Sequence, residues 1–400
     1  MAWTEHALDT LARGAALAAP HELADLFDAC AQELGADDGL VYITDLQQRV
    51  LQPLLGPNAS PERRALPVLP VDGTLAGRAY QTVQAQTQLE SEGRTRLWLP
   101  VGIGSHRLGV LSATFADAVS ADQMAALGRL ADAAGVLLQA KSAYGDTIVL
   151  LRRSHHLGVA AELHYSVLPP LSYATTEVTV SAALEPCYAV AGDAVDYSVD
   201  PGRTQVAIFD GMGHGLHSAQ CAVFTVAAYR SARRAGLGLV EVLDSVDEAL
   251  VTGLGGELFS TAVMADLDTD TGLLTWVNAG HPFPLLLRGG KLIKVLETDP
   301  RPPLGLGHLL ADEGPHLGQE QLEPGDMILL YSDGVVEARS PEGEFFGVAR
   351  LAELVTIQLA GGLDAPETMR RVVRELLTHH AEQLTDDATL LMLEWRRPAL

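Results

Sequence analysis

The sequence predicts a two-domain chain of mixed α+β class, and three observations carry that prediction. At 400 residues the chain exceeds what one hydrophobic core ordinarily serves. Short apolar runs recur along most of it, interrupted by a few segments whose apolar residues fall three and four apart. The two kinds of segment do not alternate regularly, as a parallel βαβ sheet would require, so layered, largely antiparallel sheets are expected.

In the first third the order is helix, strands, helix. Leu23, Leu26, Phe27, Cys30 and Leu34 mark one buried face of a helix over 21–34. GLVYITD (39–45) and RVLQPLL (49–55) are strand-like, and LWLPVGI (97–103) with RLGVLSATF (107–115) predicts a hairpin around GSH. From Ser120, Met124, Leu127, Leu130, Ala134, Leu137 and Leu138 restore a helical period.

Residues 141–168 predict a continuous helix that stops at Pro169-Pro170, since proline lacks an amide donor and clashes with the preceding turn. Leu150, Leu157, Ala161 and Leu168 would form a stripe on it, open to a second protomer or to the chain's own domain. Beyond Glu177, EVTVSAALE, TQVAIFD, STAVMADLD, LLTWVNA, PLLLR, KLIKVL, DMILLYSD and ATLLMLEW are strand-like, with helical patterns at about 216–235, 240–253 and 367–382.

A hydrophobic fraction of 48% with 20% charged residues excludes extensive disorder. Lys+Arg 27 against Asp+Glu 51 leaves a formal charge of −24, which repels phosphate backbones and anionic headgroups, so neither nucleic acid nor membrane is an expected partner. Cys30, Cys187 and Cys221 are far apart and form no CxxC, so buried small hydrophobes are expected rather than disulfides or a zinc site. The opening residues lack the basic start and apolar core of a signal peptide, and no apolar run reaches ~18 residues. A cytoplasmic protein is the expectation.

The chemistry is written at the ends of the strands. VAIFD ends at Asp210 and enters GMGHG, MILLYSD ends at Asp333 before Gly334, Asp386-Asp387 precedes ATLLML, and Asp193 follows Gly192 in a Gly-Asp turn after another strand. A carboxylate beside an apolar core is costly without a cation or strong hydrogen bonds, and Lys and Arg are scarce near these positions. Hard divalent cations favour such oxygen donors, and a glycine after the acid lets the backbone approach an ion closely. Any one Asp-Gly after a strand is an ordinary turn; four acids at the ends of separate strands in one domain favour a metal site. GMGHG matches neither GxGxxG nor GxxxxGK[ST], so nucleotide binding by those routes is unsupported.

AGDAVDY (191–197), FDGMGHGLHSA (209–219), NAGHPFP (278–284), PLGLG (303–307), EPGDMILLYSDGVVEAR (323–339), GEFFG (343–347) and TDDATLLMLEW (385–395) occur in order. Together they resemble the metal-dependent serine/threonine phosphatases, protein phosphatase 2C-like, in the bacterial SpoIIE/RsbU branch. The resemblance implies an αββα sandwich over 172–396 with two Mg²⁺ or Mn²⁺ ions. It implies metal ligands Asp193, Asp210, the Gly211 carbonyl, Asp333 and Asp386, with Asp386 preferred over Asp387 and Asp193 acting largely through water. Asp210 and Asp333 would be catalytic. Its usual substrates are phosphorylated STAS-type anti-sigma-factor antagonists, so a regulatory phosphoprotein is the implied partner. Two departures stand out: Ala191-Gly192 replaces a paired glycine, and Met212 stands where eukaryotic members carry histidine, which leaves His214 or water as proton donor. His281 in NAGHP has no acid or nucleophile beside it in sequence and is expected to hold a turn.

Residues 10–140, with GTLAGRAYQT (73–82) and the LWLPVG…LGVLSATF pattern, resemble a GAF sensor domain joined by a helical linker (141–171). That resemblance implies either a small-molecule ligand or a scaffold that only dimerises. A phosphoprotein-binding module without turnover is the alternative to an enzyme.

Overall fold

The computed structural model describes residues 2–185, 192–213, 215–299, 301–307, 317–381 and 387–396. Its contacts divide the chain into two units, Met1–His156 and Leu157–Leu400.

In the first unit, α1 (Ala2–Leu17), α2 (Leu23–Glu33), β1 (Asp38–Thr44), β2 (Val50–Pro53), α3 (Pro61–Arg64) and β3 (Leu69–Pro70) come first. Then follow α4 (Leu75–Thr82), β4 (Gln86–Leu89), β5 (Thr95–Ile103), β6 (His106–Phe115), α5 (Ala121–Lys141) and α6 (Asp146–Leu151). The strands form one antiparallel sheet, ordered β3-β2-β1-β6-β5-β4. Side chains alternate across it, so Val41 and Ile43 enter a core with Phe27 and Cys30 of α2 and Leu127 and Leu130 of α5. Leu40 and Tyr42 point the other way, where Ala76, Ala79 and Tyr80 of α4 cover them. A capping box starts α5: Ser120 Oγ accepts from the Gln123 N–H at 3.2 Å, and Gln123 Oε1 accepts from the Ser120 N–H at 3.0 Å.

The continuous helix expected over 141–168 is not formed. A 3₁₀ turn (Ser142–Tyr144), α6 and α7 (Val159–Tyr165) replace it, separated at Gly145 and across residues 152–158. Two glycines and the Ser154-His155-His156 run have weak helix propensity, and the expected stripe is broken: Leu150 is 58% exposed whereas Leu157 and Ala161 are buried.

The second unit continues with β7 (Ser172–Ala174), β8 (Val178–Glu185), β9 (Asp193–Asp200), β10 (Arg203–Gly211), α8 (Leu216–Arg234), α9 (Leu239–Leu254), β11 (Ser260–Asp268) and β12 (Leu273–Ala279). After these come β13 (Leu285–Arg288), β14 (Lys291–Val295), β15 (Gly318–Gln321), β16 (Met327–Tyr331), α10 (Asp333–Val336), α11 (Gly347–Ala360), α12 (Ala365–His379) and β17 (Ala388–Trp395). They build two antiparallel sheets, β15-β12-β11-β10-β9 and β14-β13-β16-β17-β8-β7.

Three cores stack these sheets into an αββα sandwich. Val206 and Ile208 of β10, Val263 and Ala265 of β11, Ile328 and Leu330 of β16 and Leu391 and Leu393 of β17 meet between the sheets. The alternate residues face outward: Ala207, Phe209 and Met264 onto α8 and α9, and Leu329, Leu390 and Met392 onto α11 and α12. Burial on both faces is why strands such as MILLY read as unbroken apolar runs. Among the described residues no helix is long and apolar enough to cross a membrane.

Candidate metal centre

The alternation that builds the inter-sheet core carries the acids to one end of it. Asp210 is in phase with Val206 and Ile208, and Asp193, its direct partner across β9 and β10, is in phase with Val195. On the opposite sheet Asp387 and Thr389 are in phase with Leu391 and Leu393, and Ser332 extends the phase of Ile328 and Leu330. Asp193 is therefore the first residue of a strand and not, as the Gly-Asp pattern predicts, part of a turn. Its strand is hard to read from sequence because two of its buried positions are acids, Asp193 and Asp196.

Asp193 is 2% exposed, and among the described residues its Oδ2 has no hydrogen-bond partner. Burial, then the Asp210 and Asp387 carboxylates, push its carboxyl well above the usual carboxylate range, opposed by the hydroxyls of Ser332 and Thr389. Asp387 Oδ2 accepts from the Gly192 N–H at 2.7 Å and so ties the two sheets together. Ser332 Oγ donates to the Asp387 carbonyl at 3.3 Å and accepts from the Thr389 N–H at 2.9 Å. Asp333 follows at the start of α10, half-buried.

The Asp210–Met212 backbone is held by its neighbours. Ser260 Oγ donates to the Asp210 carbonyl at 3.0 Å, the Gly211 N–H donates to Gly192 O at 2.9 Å, and the Met212 N–H donates to Phe259 O at 3.0 Å. A β-carbon at Gly192 would lie 2.0 Å from the Gly211 carbonyl oxygen, so glycine is required there by contact. Beyond Gly211 the chain turns through Gly213 (φ 92°) and Gly215 (φ 77°), left-handed conformations that favour glycine, before α8 begins. The PLGLG block is clasped beside this loop: Leu304 exchanges backbone hydrogen bonds with Ser260, and Asp247 Oδ1 accepts from the N–H groups of Gly305 (2.8 Å) and Gly307 (3.0 Å).

Asp193, Asp210 and Gly211 thus meet at one sheet end with Asp387, and Asp333 adjoins Ser332, which touches Asp193. Asp386, His214 and Cys187 lie outside the described residues. Among the described residues no three His, Cys, Asp or Glu side chains form a complete metal-holding group. What is present fits a divalent cation even so: converging carboxylates, one of them buried with an orphaned oxygen and, among the described residues, repelled by two further carboxylates with no Lys or Arg charge offsetting them.

Sequence reasoning ranked Asp387 behind Asp386 and missed Ser332, Thr389 and His164. Counting in twos back from Leu391 would have found Asp387 and Thr389, and the same count from Leu330 finds Ser332. His164 in α7 carried no such signal; its ring is buried, and burial lowers its pKa, opposed by the nearby backbone of Asp193. His281 holds a turn as expected: its N–H donates to Asn278 Oδ1 (2.9 Å), its carbonyl accepts from Asn278 Nδ2 (2.8 Å), and Nδ1 pairs with Thr261 Oγ1 (2.7 Å). Burial drives its pKa down to about 3. Cys30 and Cys221 are buried free thiols.

Residues 200–396 match the family model of stage II sporulation protein E (SpoIIE). The chain is 26% identical over 235 residues to phosphoserine phosphatase RsbU of Bacillus subtilis, covering 59% of this chain and 68% of RsbU. It is 28% identical over 145 residues to phosphoserine phosphatase RsbP of the same organism, covering 35% of each. It spans 33% of the stage II sporulation protein E of Priestia megaterium. Among solved structures, the SiaA-PP2C domain of Pseudomonas aeruginosa is similar at 20% identity and TM-score 0.49, over 60% of this chain and 94% of that one. Over residues 200–396 the chain is thus similar to the SpoIIE family.

Proposed function

We propose that this protein is a Mg²⁺- or Mn²⁺-dependent phosphatase that hydrolyses phosphoserine or phosphothreonine on a regulatory protein. The observation that carries the reading is the buried Asp193 carboxyl facing the half-buried, like-charged Asp210 and Asp387 at the sheet end, a repulsion that a bound cation or a proton would relieve. Asp193, Asp210, the Gly211 carbonyl, Asp333 and Asp386 would hold two ions. Ions bound there would supply Lewis acidity, lowering the pKa of water and neutralising charge on the phosphoryl group. The protein's own part is positional. Asp210 stands opposite Asp193 in register, Ser260 fixes the Asp210 carbonyl, and Gly192 leaves room for that of Gly211. In the reaction the phosphorus–oxygen bond to the side chain breaks, one to water oxygen forms, and the departing oxygen takes a proton.

RsbU and RsbP are named phosphoserine phosphatases, which supports that substrate class. One neighbouring structure is of the RsbU and RsbW domains of a Mycobacterium tuberculosis protein, so an STAS-type anti-sigma-factor antagonist in a partner-switching system is the proposed substrate. Residues 10–140 would be a GAF-like regulatory domain and 141–171 its connection to the phosphatase. The burial of His164 of α7 beside the backbone of Asp193 supports that role, as does Arg230 on α8, which donates to the Val167 carbonyl at 2.6 Å just beyond α7.

The test is hydrolysis of p-nitrophenyl phosphate by the full chain with Mn²⁺, with Mg²⁺ and with EDTA, alongside Asp210→Asn. Metal-dependent turnover lost in Asp210→Asn is expected. Turnover that persists in EDTA, or in Asp210→Asn, would overturn the proposal.

A further inference from the structure

We propose that His281 is a positioning residue of the metal centre: acting through Thr261, it braces the strand beside Asp210 against the strand end that leads into Asp333. The inference rests on the metal-dependent reading above and gives a role to a block that reading leaves unused. NAGHPFP (278–284) is the crossover from β12 in one sheet to β13 in the other. Leu285 of β13 stands opposite Leu329 of β16 in an antiparallel pair, so the crossover runs alongside the end of β16, where Tyr331, Ser332 and Asp333 follow one another.

Holding the turn does not account for the imidazole. Asn278 clasps only the backbone of residue 281, taking its N–H at 2.9 Å and its carbonyl at 2.8 Å, and any residue but proline offers both groups. The ring does something further. Its Nδ1 lies 2.7 Å from Thr261 Oγ1. Thr261 is the direct partner of Asp210 across β10 and β11 and is in phase with Val263 and Ala265, so it stands on the face that carries the acids. Asp193 is the partner of Asp210 on the other side, which places Asp193, Asp210 and Thr261 in one row across the sheet. Side chains directly opposite in such a row have β-carbons about 4.5–5.5 Å apart, so the rotamer that Thr261 adopts sets the room left for the Asp210 carboxylate.

The second nitrogen looks toward the other sheet. His281 is 5% exposed, and among the described residues its Nε2 has no hydrogen-bond partner. Burial holds the ring neutral, opposed by the nearby backbone of Tyr331, which favours a proton. That environment puts the single ring proton on Nε2 and leaves Nδ1 to accept from the Thr261 hydroxyl. A flat, rigid ring cannot adjust its two nitrogens independently. Thr261, paired with Asp210, and Tyr331, two residues before Asp333, are therefore kept at one separation.

The test reads Mn²⁺ affinity of the full chain by isothermal titration, below the melting temperature of every variant, with turnover of p-nitrophenyl phosphate measured beside it. Thr261→Val, which keeps the shape and loses the hydroxyl, should weaken Mn²⁺ at least about tenfold, as loss of a group supporting a metal ligand does. Thr261→Ser should bind as wild type does. His281→Gln keeps the backbone clasp but takes its amide away from the Nδ1 position, and should lose as much as Thr261→Val. The double variant should lose no more than either single one, to within about twofold, because the two residues act as a unit. If Thr261→Val does not fold, His281→Gln carries the same prediction.

A wild type that binds no Mn²⁺ would overturn the metal-dependent reading and the brace with it. Wild-type binding that survives Thr261→Val and His281→Gln, even with a lowered melting temperature, would overturn the brace alone and leave His281 a holder of the turn. Losses that multiply in the double variant, or a Thr261→Ser protein as weak as Thr261→Val, would do the same.

Discussion

Replacing Gly192 by alanine adds one methyl group at the place where the two strands of the centre come closest. Its carbon would lie 2.0 Å from the Gly211 carbonyl oxygen, 2.9 Å from the carbonyl carbon and 3.1 Å from the nitrogen. Relief to ordinary contact needs a displacement of about 1 Å or more between β9 and β10, in a core that has no slack to absorb it. Overpacking of this kind costs about 1–3 kcal/mol. At about 2–4 °C per kcal/mol for a domain of this size, the melting temperature should fall by about 2–12 °C. Turnover should fall further than stability, by about 10²-fold, because an ångström is enough to misplace reacting groups. The assays are thermal unfolding and Mn²⁺-dependent hydrolysis of p-nitrophenyl phosphate, both run across a Mn²⁺ titration. A Gly192→Ala protein that melts with wild type and keeps its turnover and Mn²⁺ dependence would refute the claim that this contact positions the Gly211 carbonyl.

In EDTA, Asp193→Asn should melt above wild type, by about 1–2 kcal/mol of stability, because it removes a buried charge facing Asp210 and Asp387; wild type should regain the advantage in Mn²⁺, and the same order in both conditions would count against a cation at this position. His281 is held neutral, with a folded pKa of about 3 against an ordinary 6.5, so between those values the unfolded chain binds a proton that the folded one does not. Stability from this group is complete above pH 6.5 and declines as pH falls toward 3, so wild type should lose about 3 kcal/mol more than His281→Asn between pH 7 and 4.5, and parallel pH profiles in denaturant unfolding would disprove it. Asp196 is buried and accepts from Arg230 (2.6 and 3.0 Å) and Arg233 (3.1 Å); Asp196→Ala should destabilise by about 3 kcal/mol, or about 6–12 °C in melting temperature, and an unchanged melting curve would show that the cluster contributes nothing.

Strands buried on both faces were the most legible elements. STAVMADLD, LLTWVNA and ATLLMLEW coincide with β11, β12 and β17, since unbroken apolar runs admit few alternatives. Strand β9 was hidden because Asp193 and Asp196 occupy buried positions, and β15, GQEQ, because it is an edge strand of polar residues. Helix α11 went unread although it buries Leu351, Ala352 and Val355, for its period is blurred by apolar residues on the other face, Ile357 among them. The expected helix over 141–168 failed for the opposite reason: apolar spacing continued through glycines and a Ser-His-His run where the backbone did not.

What sequence by itself determined is the set of acids at strand ends and the class of sheet that carries them. Both follow from local rules: a strand alternates, a glycine after an acid permits a turn, and an unpaired carboxylate beside an apolar run demands a partner. Only the tertiary structure decided which acids meet. Asp193 and Asp210 face each other through a strand register, and Asp387 reaches Gly192 from the other sheet, 195 residues away in the chain. Sequence spacing holds no information about such distances. The packing of two sheets sets them, and with them the mutual repulsion that makes this end of the sandwich a place for cations.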